Sequence, residues 1–409
     1  MPFFVPGDGY LNLTDVQRVI GSDSGDANTG DNVFLAMAGA GDNNTGDRVI
    51  IIGVSAGADN VGNDLIAIGD ESGGGAGAGL LQASNICIGN RALALGVDAT
   101  RNVVIGHDAA EAVVLASAAD FTDNVVIGDN ALGNVGDAVG TLNLSVIIGS
   151  QAGENLGSAL GGYGGNVFIG RRAGQGTVQI EVAVLNSVFI GEQAGLRTHT
   201  CANNVAIGRL AGQDISTGGD NTFIGQNAGG NFATGADNVC IGSGSGRSAT
   251  SGANDSVCIG SAAGDGALAN RCVVIGNRAQ AGVIGGLDDA IIIGSNANTS
   301  EFAGSQNLTD ALLIENIDVN AGRRATFIYA QSENAAINIM FGNNNAGSGV
   351  GTARDLVALG ADAARNIVKL VNGAPAAATN PVAGGYFYVL AGALHWVGSA
   401  GTDTVVAVA

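Results

Sequence analysis

Aromatic side chains are scarce in this 409-residue chain: 4% of residues, with a single Trp. Proline is scarce too, with four, and charged residues make up 13%, about half the usual share. Gly stands at 69 positions but not at every third place, which excludes collagen. Low charge with a mean hydropathy of +0.29 excludes a disordered polyelectrolyte. Basic residues number 16 against 36 acidic, a net charge of −20. That balance speaks against nucleic acid as a partner and against docking on anionic lipid. No apolar run approaches the roughly 18 residues of a membrane helix. The N-terminus, Met1-Pro2-Phe3-Phe4-Val5-Pro6-Gly7-Asp8, has no basic region followed by a long apolar core. The expectation is a chain made in the cytoplasm, without signal peptide or membrane insertion. The five cysteines, Cys87, Cys201, Cys240, Cys258 and Cys272, form no CxxC pair and read as buried free thiols rather than a zinc site. Cys240 and Cys258 occupy matching places in adjacent repeats, where a disulfide remains an open alternative.

What is abundant is one phrase: apolar, apolar, Ile, Gly, two variable residues, then Ala or Ser. Its glycines fall at 53, 69, 89, 106, 128, 149, 170, 191, 208, 225, 242, 260, 276 and 294. Spacings of 16 to 22 point to a stacked-coil solenoid, because one such unit cannot bury its own apolar face. The residue before the glycine is Ile in all fourteen copies, and two residues earlier stands Val or Ile in thirteen, with Thr222 the exception. Asn or Ser stands four before the glycine in ten copies, where such side chains hold a turn. The glycine reads as a corner with positive φ or a close backbone approach.

Alternate strand residues share a face. The two constant β-branched positions therefore read as the inside of each coil. The residue between them then faces out, and it is never strongly polar or charged. A strand apolar on both sides needs cover on both. The predicted cover is sister chains, with Val104, Val126, Phe168, Phe189, Phe223, Cys240, Cys258 and Val274 as trimer interface.

The fold class is thus all-β: a parallel β-solenoid or β-roll of about 14 coils in a homotrimeric fibre, with a small C-terminal β-meander cap. Residues 1–32 read as an N-terminal attachment segment and 33–298 as the solenoid shaft, its first repeat degraded at Asn32-Val33-Phe34-Leu35. Residues 299–365 read as a β-rich transition with faint repeats at Ile339–Gly342 and Val357–Gly360. Residues 366–409 form the cap, with strands at Tyr386–Leu390, Ala393–Val397 and Thr402–Ala407. The extra residues of long repeats, as at Ala112–Ala119 and Gly174–Val184, read as surface loops.

These Asn-Val-x-Ile-Gly-x-x-Ala-Gly repeats resemble the heads of trimeric adhesins and the shafts of bacteriophage tail fibres. Tyr386–Ala409 is similar to a terminal module of phage tail fibres, with its Gly-Ala-Leu-x-Trp turn and Gly-Ser-x-Gly-Thr step. The resemblance implies a homotrimer that binds a cell surface. The absence of export parts favours a virion protein over the alternative, the head of a bacterial trimeric adhesin. The expected partners are two further copies of the chain, a baseplate, tail or capsid protein at the N-terminus, and a host-surface glycan or protein.

No catalytic, metal or cofactor residues are expected. A trimeric hexapeptide acyltransferase needs an aliphatic-Gly unit about every six residues and a catalytic His, and only His107 adjoins a repeat glycine. A depolymerising tailspike has no positive sign in the residues. The acidic turns Gly21–Asp26 and Gly41–Asp47 miss the spacing of Ca²⁺ loops. For receptor contact the one dense aromatic patch is Tyr386, Tyr388, His395 and Trp396, with Phe387; the competing reading makes it the core of the cap.

Overall fold

The computed structural model describes most residues from 33 to 297, omitting segments such as 75–81, 116–120, 157–162, 177–183, 248–252 and 281–288. Outside that span it describes 18–20, Thr29 and the strand backbones between 311 and 407. The described residues contain no helix, and the chain is a parallel β-solenoid. It divides into two compact units, Met1–Asp220 and Asn221–Ala409.

In the first unit each repeat contributes a three-residue strand, from Phe34–Ala36 to Val205–Ile207. Each pairs with the next in parallel and in register, as in Val167↔Val188, Phe168↔Phe189 and Ile169↔Ile190. A second ladder of two-residue strands, Gln82–Ala83 through Cys201–Ala202, runs along another side of the same coils. The stack begins earlier than expected: Arg18–Ile20, within the segment read as an attachment region, pairs in parallel with Phe34–Ala36, which pairs with Ile50–Ile52 and has Met37 in the glycine's place at φ 87°.

In the second unit five further triplets stack the same way, from Thr222–Ile224 to Ile291–Ile293. Ala311–Asp318 adds one more parallel rung on Ile291–Ile293. The pattern then changes. Arg323–Glu333, Ala336–Asn344, Val357–Asp362 and Arg365–Lys369 pair antiparallel. The two faint repeats at Ile339–Gly342 and Val357–Gly360 are therefore strands of a meander, not coils; matching apolar-Gly text does not set strand direction. The C-terminal meander forms as expected, from Gly385–Leu390, Ala393–Gly398 and Asp403–Ala407.

One expectation is reversed. The middle residue of each triplet faces into the coil. Val104, Val126, Phe168, Phe189, Phe223, Cys240, Cys258 and Val274 are all fully buried within the single chain, so none of them is available to a sister chain. The flanking Val and Ile residues face out, partly exposed. The reason is geometric. A three-residue strand between two corners offers its coil one inward side chain, and the two flanking ones must point away.

The interior is packed by exchange of volume. Phe168 and Phe189 stack with ring centroids 5.2 Å apart and planes 6° from parallel. Six residues after each Phe in a triplet's middle place, Phe168, Phe189 and Phe223, stands a glycine at positive φ. A Cβ on Gly174 would lie 2.6 Å from the Phe168 ring, and one on Gly229 would lie 2.4 Å from Phe223. In two coils with a smaller middle residue that later place holds a Leu: Leu93 accompanies Cys87 and Leu132 accompanies Val126, all buried. In others, such as Ala67 with Gly73 and Ala206 with Gly212, it is Gly as well. The small residue after each corner, such as Ala194, is buried, and its N–H donates to the carbonyl of Gly191 to close the turn.

Candidate functional surfaces

The corner glycine fixes the geometry of the outer face. Gly106 has φ 144°, and a Cβ there would sit 2.3 Å from the carbonyl oxygen of Gly128 on the next coil. Corner lies on corner, so no side chain fits and the triplets before the corners are held in line. The Asn/Ser position adds a second constraint. It does more than hold its own turn: it bridges coils. Asn85 Oδ1 accepts from the backbone N–H of Asn102 at 2.9 Å, and Asn102 Oδ1 accepts from that of Asn124 at 2.9 Å. The chain continues through Ser145, Asn166, Ser187 and Asn204. In the second unit it runs from Asn221 through Asn238 and Ser256 to the N–H of Cys272. All these side chains are buried.

The residue before each Asn or Ser sits in the left-handed region, at φ 49–67°. Arg48–Asp64, Arg101–Asp123 and Arg271–Asp289 are ion pairs along this corner, each joining one coil to the next. The Arg partners hold the carboxyls of Asp64, Asp123 and Asp289 below their ordinary value through side-chain hydrogen bonds.

The surface these constraints align is aliphatic. In each unit two straight rows of outward side chains flank the buried middle row. Ile50 is 41% exposed, Ile207 36% and Ile291 41%. Along the first unit these partly exposed aliphatic side chains follow one another from coil to coil, a contiguous apolar surface of the kind that marks an interaction face. Sequence reasoning missed these rows as a surface. One signal was present: a Gly stands six residues after each middle-place Phe, where a Cβ would enter the Phe168, Phe189 or Phe223 ring.

No protein-family model, no curated protein and no solved structure matches this chain.

The aromatic patch is divided by strand register. Tyr386 pairs with Val397, Phe387 with Trp396 and Tyr388 with His395. Paired residues share a face of an antiparallel sheet, and neighbours along the strand alternate. Tyr386, Tyr388 and His395 therefore lie on one face and Phe387 and Trp396 on the other. Val405, opposite His395, is half exposed. His107 sits on an open corner, its imidazole 3.0 Å from Asp108 and 3.5 Å from Asp129, with more than half of its side chain exposed. In the Gly41–Asp47 turn, Asn43 donates to Asp59 and buried Asn44 accepts from Asn60, so these groups join coils to one another. The Gly21–Asp26 turn lies outside the described residues. Among the described residues no group of three or more His, Cys, Asp or Glu is placed to hold a metal ion.

Proposed function

We propose that this chain is a non-catalytic structural fibre protein of a phage tail fibre. Two further copies of itself would cover its aliphatic face in a parallel homotrimer. The N-terminus would be fixed to a baseplate, tail or capsid protein, and the assembly would present a surface to a host-cell glycan or protein. The observation that carries the reading is the pair of Val/Ile rows that remain partly exposed among the described residues. A contiguous apolar face in water drives association. The chemistry of the rows favours a like partner, because one flat branched-aliphatic ladder packs well against another. The number three comes from the repeats' resemblance to trimeric fibres, and so does the virion location. High net negative charge keeps finished fibres apart.

The test is the mass of the purified chain in solution, by light scattering and native mass spectrometry. Three chains per particle are expected. Ile148→Lys and Ile169→Lys, which leave the interior untouched, should lower the mass toward one chain. A monodisperse single chain with its aliphatic rows wetted would sink the reading. The virion assignment is checked by density for this chain in purified particles. Host contact is checked at the C-terminal sheet: Tyr388→Ala should reduce adsorption while the assembly keeps its mass.

A further inference from the structure

Two buried thiols are left over from the architecture. Cys240 and Cys258 are middle residues of adjacent triplets, paired in register, and both are fully buried and unbridged. Hydrogen bonds on either side fix the separation of their rungs. The N–H of Val239 donates to the carbonyl of Ser256 at 2.8 Å, and the N–H of Gly260 donates to that of Ile241 at 2.8 Å. Adjacent rungs of a sheet lie about 4.8 Å apart, and in-register side chains repeat at that interval. A disulfide needs its two Cβ atoms about 3.5–4.5 Å apart, so closing one here would strain both rungs.

A linear metal bridge has different demands. Soft-metal–thiolate bonds run about 2.3 Å, so sulfur–metal–sulfur in a line spans about 4.6 Å, close to the rung spacing. Charge selects among soft cations. Both sulfurs are fully buried, and a Cβ on Gly246 would lie 2.7 Å from the Cys240 sulfur and 2.9 Å from the Phe232 ring, so the Cys240 side is apolar. Two thiolates with a monovalent cation would leave one net negative charge in this apolar interior, which is costly. Two thiolates with a divalent cation are neutral.

We infer that Cys240 and Cys258 form a linear bis-thiolate site for a soft divalent cation of the Hg²⁺ type. The reaction is Hg²⁺ plus two thiols giving Hg(S-Cys)₂ plus two protons, with no change of oxidation state. The Cys240 sulfur beside Cys258, together with burial, raises the Cys258 thiol well above its ordinary value. Uptake releases two protons and therefore strengthens as pH rises.

The experiment uses the full chain with Cys87→Ala, Cys201→Ala and Cys272→Ala, which leaves the pair as its only thiols, together with the wild-type chain. Mercuric chloride is the probe. One Hg per chain is expected, with two protons released, two sulfur neighbours by X-ray absorption, and an unchanged circular dichroism spectrum. Adding Cys258→Ala should abolish the two-sulfur signal. Because the triple variant is open to misfolding, the same absorption measurement on wild-type protein at one equivalent provides a second reading. The inference is overturned if the folded protein takes up no Hg, or takes two ions with one sulfur each. It is equally overturned if a mild oxidant such as diamide closes the Cys240–Cys258 disulfide in the folded chain.

Discussion

Leu144 stands in the left-handed region at φ 55° with its side chain 69% exposed, in a place that elsewhere holds Asn, Asp, Arg, Ser or Gly. A left-handed backbone costs an ordinary L-residue roughly 1 kcal/mol or more relative to Gly, and Asn tolerates it better. Leu144→Asn should therefore raise stability by up to about 1 kcal/mol, read as an upward shift in Tm. Gly229 carries the opposite prediction. Gly229→Ala drives a methyl into the Phe223 ring and strains a left-handed backbone, for a loss of about 2–4 kcal/mol. Adding Phe223→Val should recover part of that loss, and chemical denaturation of the four combinations measures the coupling. If the two losses simply add, the exchange of volume between these places is not what packs the coil.

Strand triplets and their corners were legible in the sequence because period, glycine and β-branched residues all mark backbone shape. The facing of the triplets was not legible from polarity, since Val104 and its neighbours Val103 and Ile105 are equally apolar. Only the pairing of Phe168 with Gly174 and of Phe223 with Gly229 distinguishes inside from outside. At this scale the Asn ladder makes a prediction. Asn124 accepts from the N–H of Ser145 and donates to the carbonyl of Leu142. Asn124→Ala removes both bonds and takes from the buried N–H of Ser145 its side-chain acceptor, at about 1–3 kcal/mol. Acid should also loosen the coil corners. The carboxyls of Asp64, Asp123 and Asp289 are depressed in the folded chain, so their contribution is present above the ordinary carboxylate value near 4 and is lost as pH falls through the lower folded values. These pairs are solvent-exposed, so the effect is small and salt-sensitive. A pH series of Tm for Asp123→Asn against the parent should converge at the acid end.

For the whole molecule, the described surfaces differ in what they ask of a partner. The aliphatic rows are partly exposed, whereas the corner carboxylates Asp64, Asp123 and Asp289 beside them are matched by Arg within the chain. Under the proposed assembly, a dye that fluoresces on apolar surface should bind Ile169→Lys protein more than the parent. An equal response would show that the rows are wet in both. The C-terminal sheet was found by its alternating pattern, but its aromatic cluster was read as one patch because linear spacing says nothing of which strand pairs with which. Register separates Tyr388 from Trp396, and the two positions should respond differently. Trp396→Ala should lower the stability of the sheet, while Tyr388→Ala should leave its unfolding unchanged.

The longest repeat, from Gly106 to Gly128, keeps Val103–Ile105 in register with Val125–Ile127 and Ala99 with Phe121. Its surplus falls between Glu111 and Phe121, where Val113–Leu115 pairs in parallel with Val135–Ala138 of the next coil, outside the two continuous ladders. Mutation can therefore lengthen, shorten or rewrite that stretch and leave the two ladders in register. Sequence change is cheap there and costly at the corners.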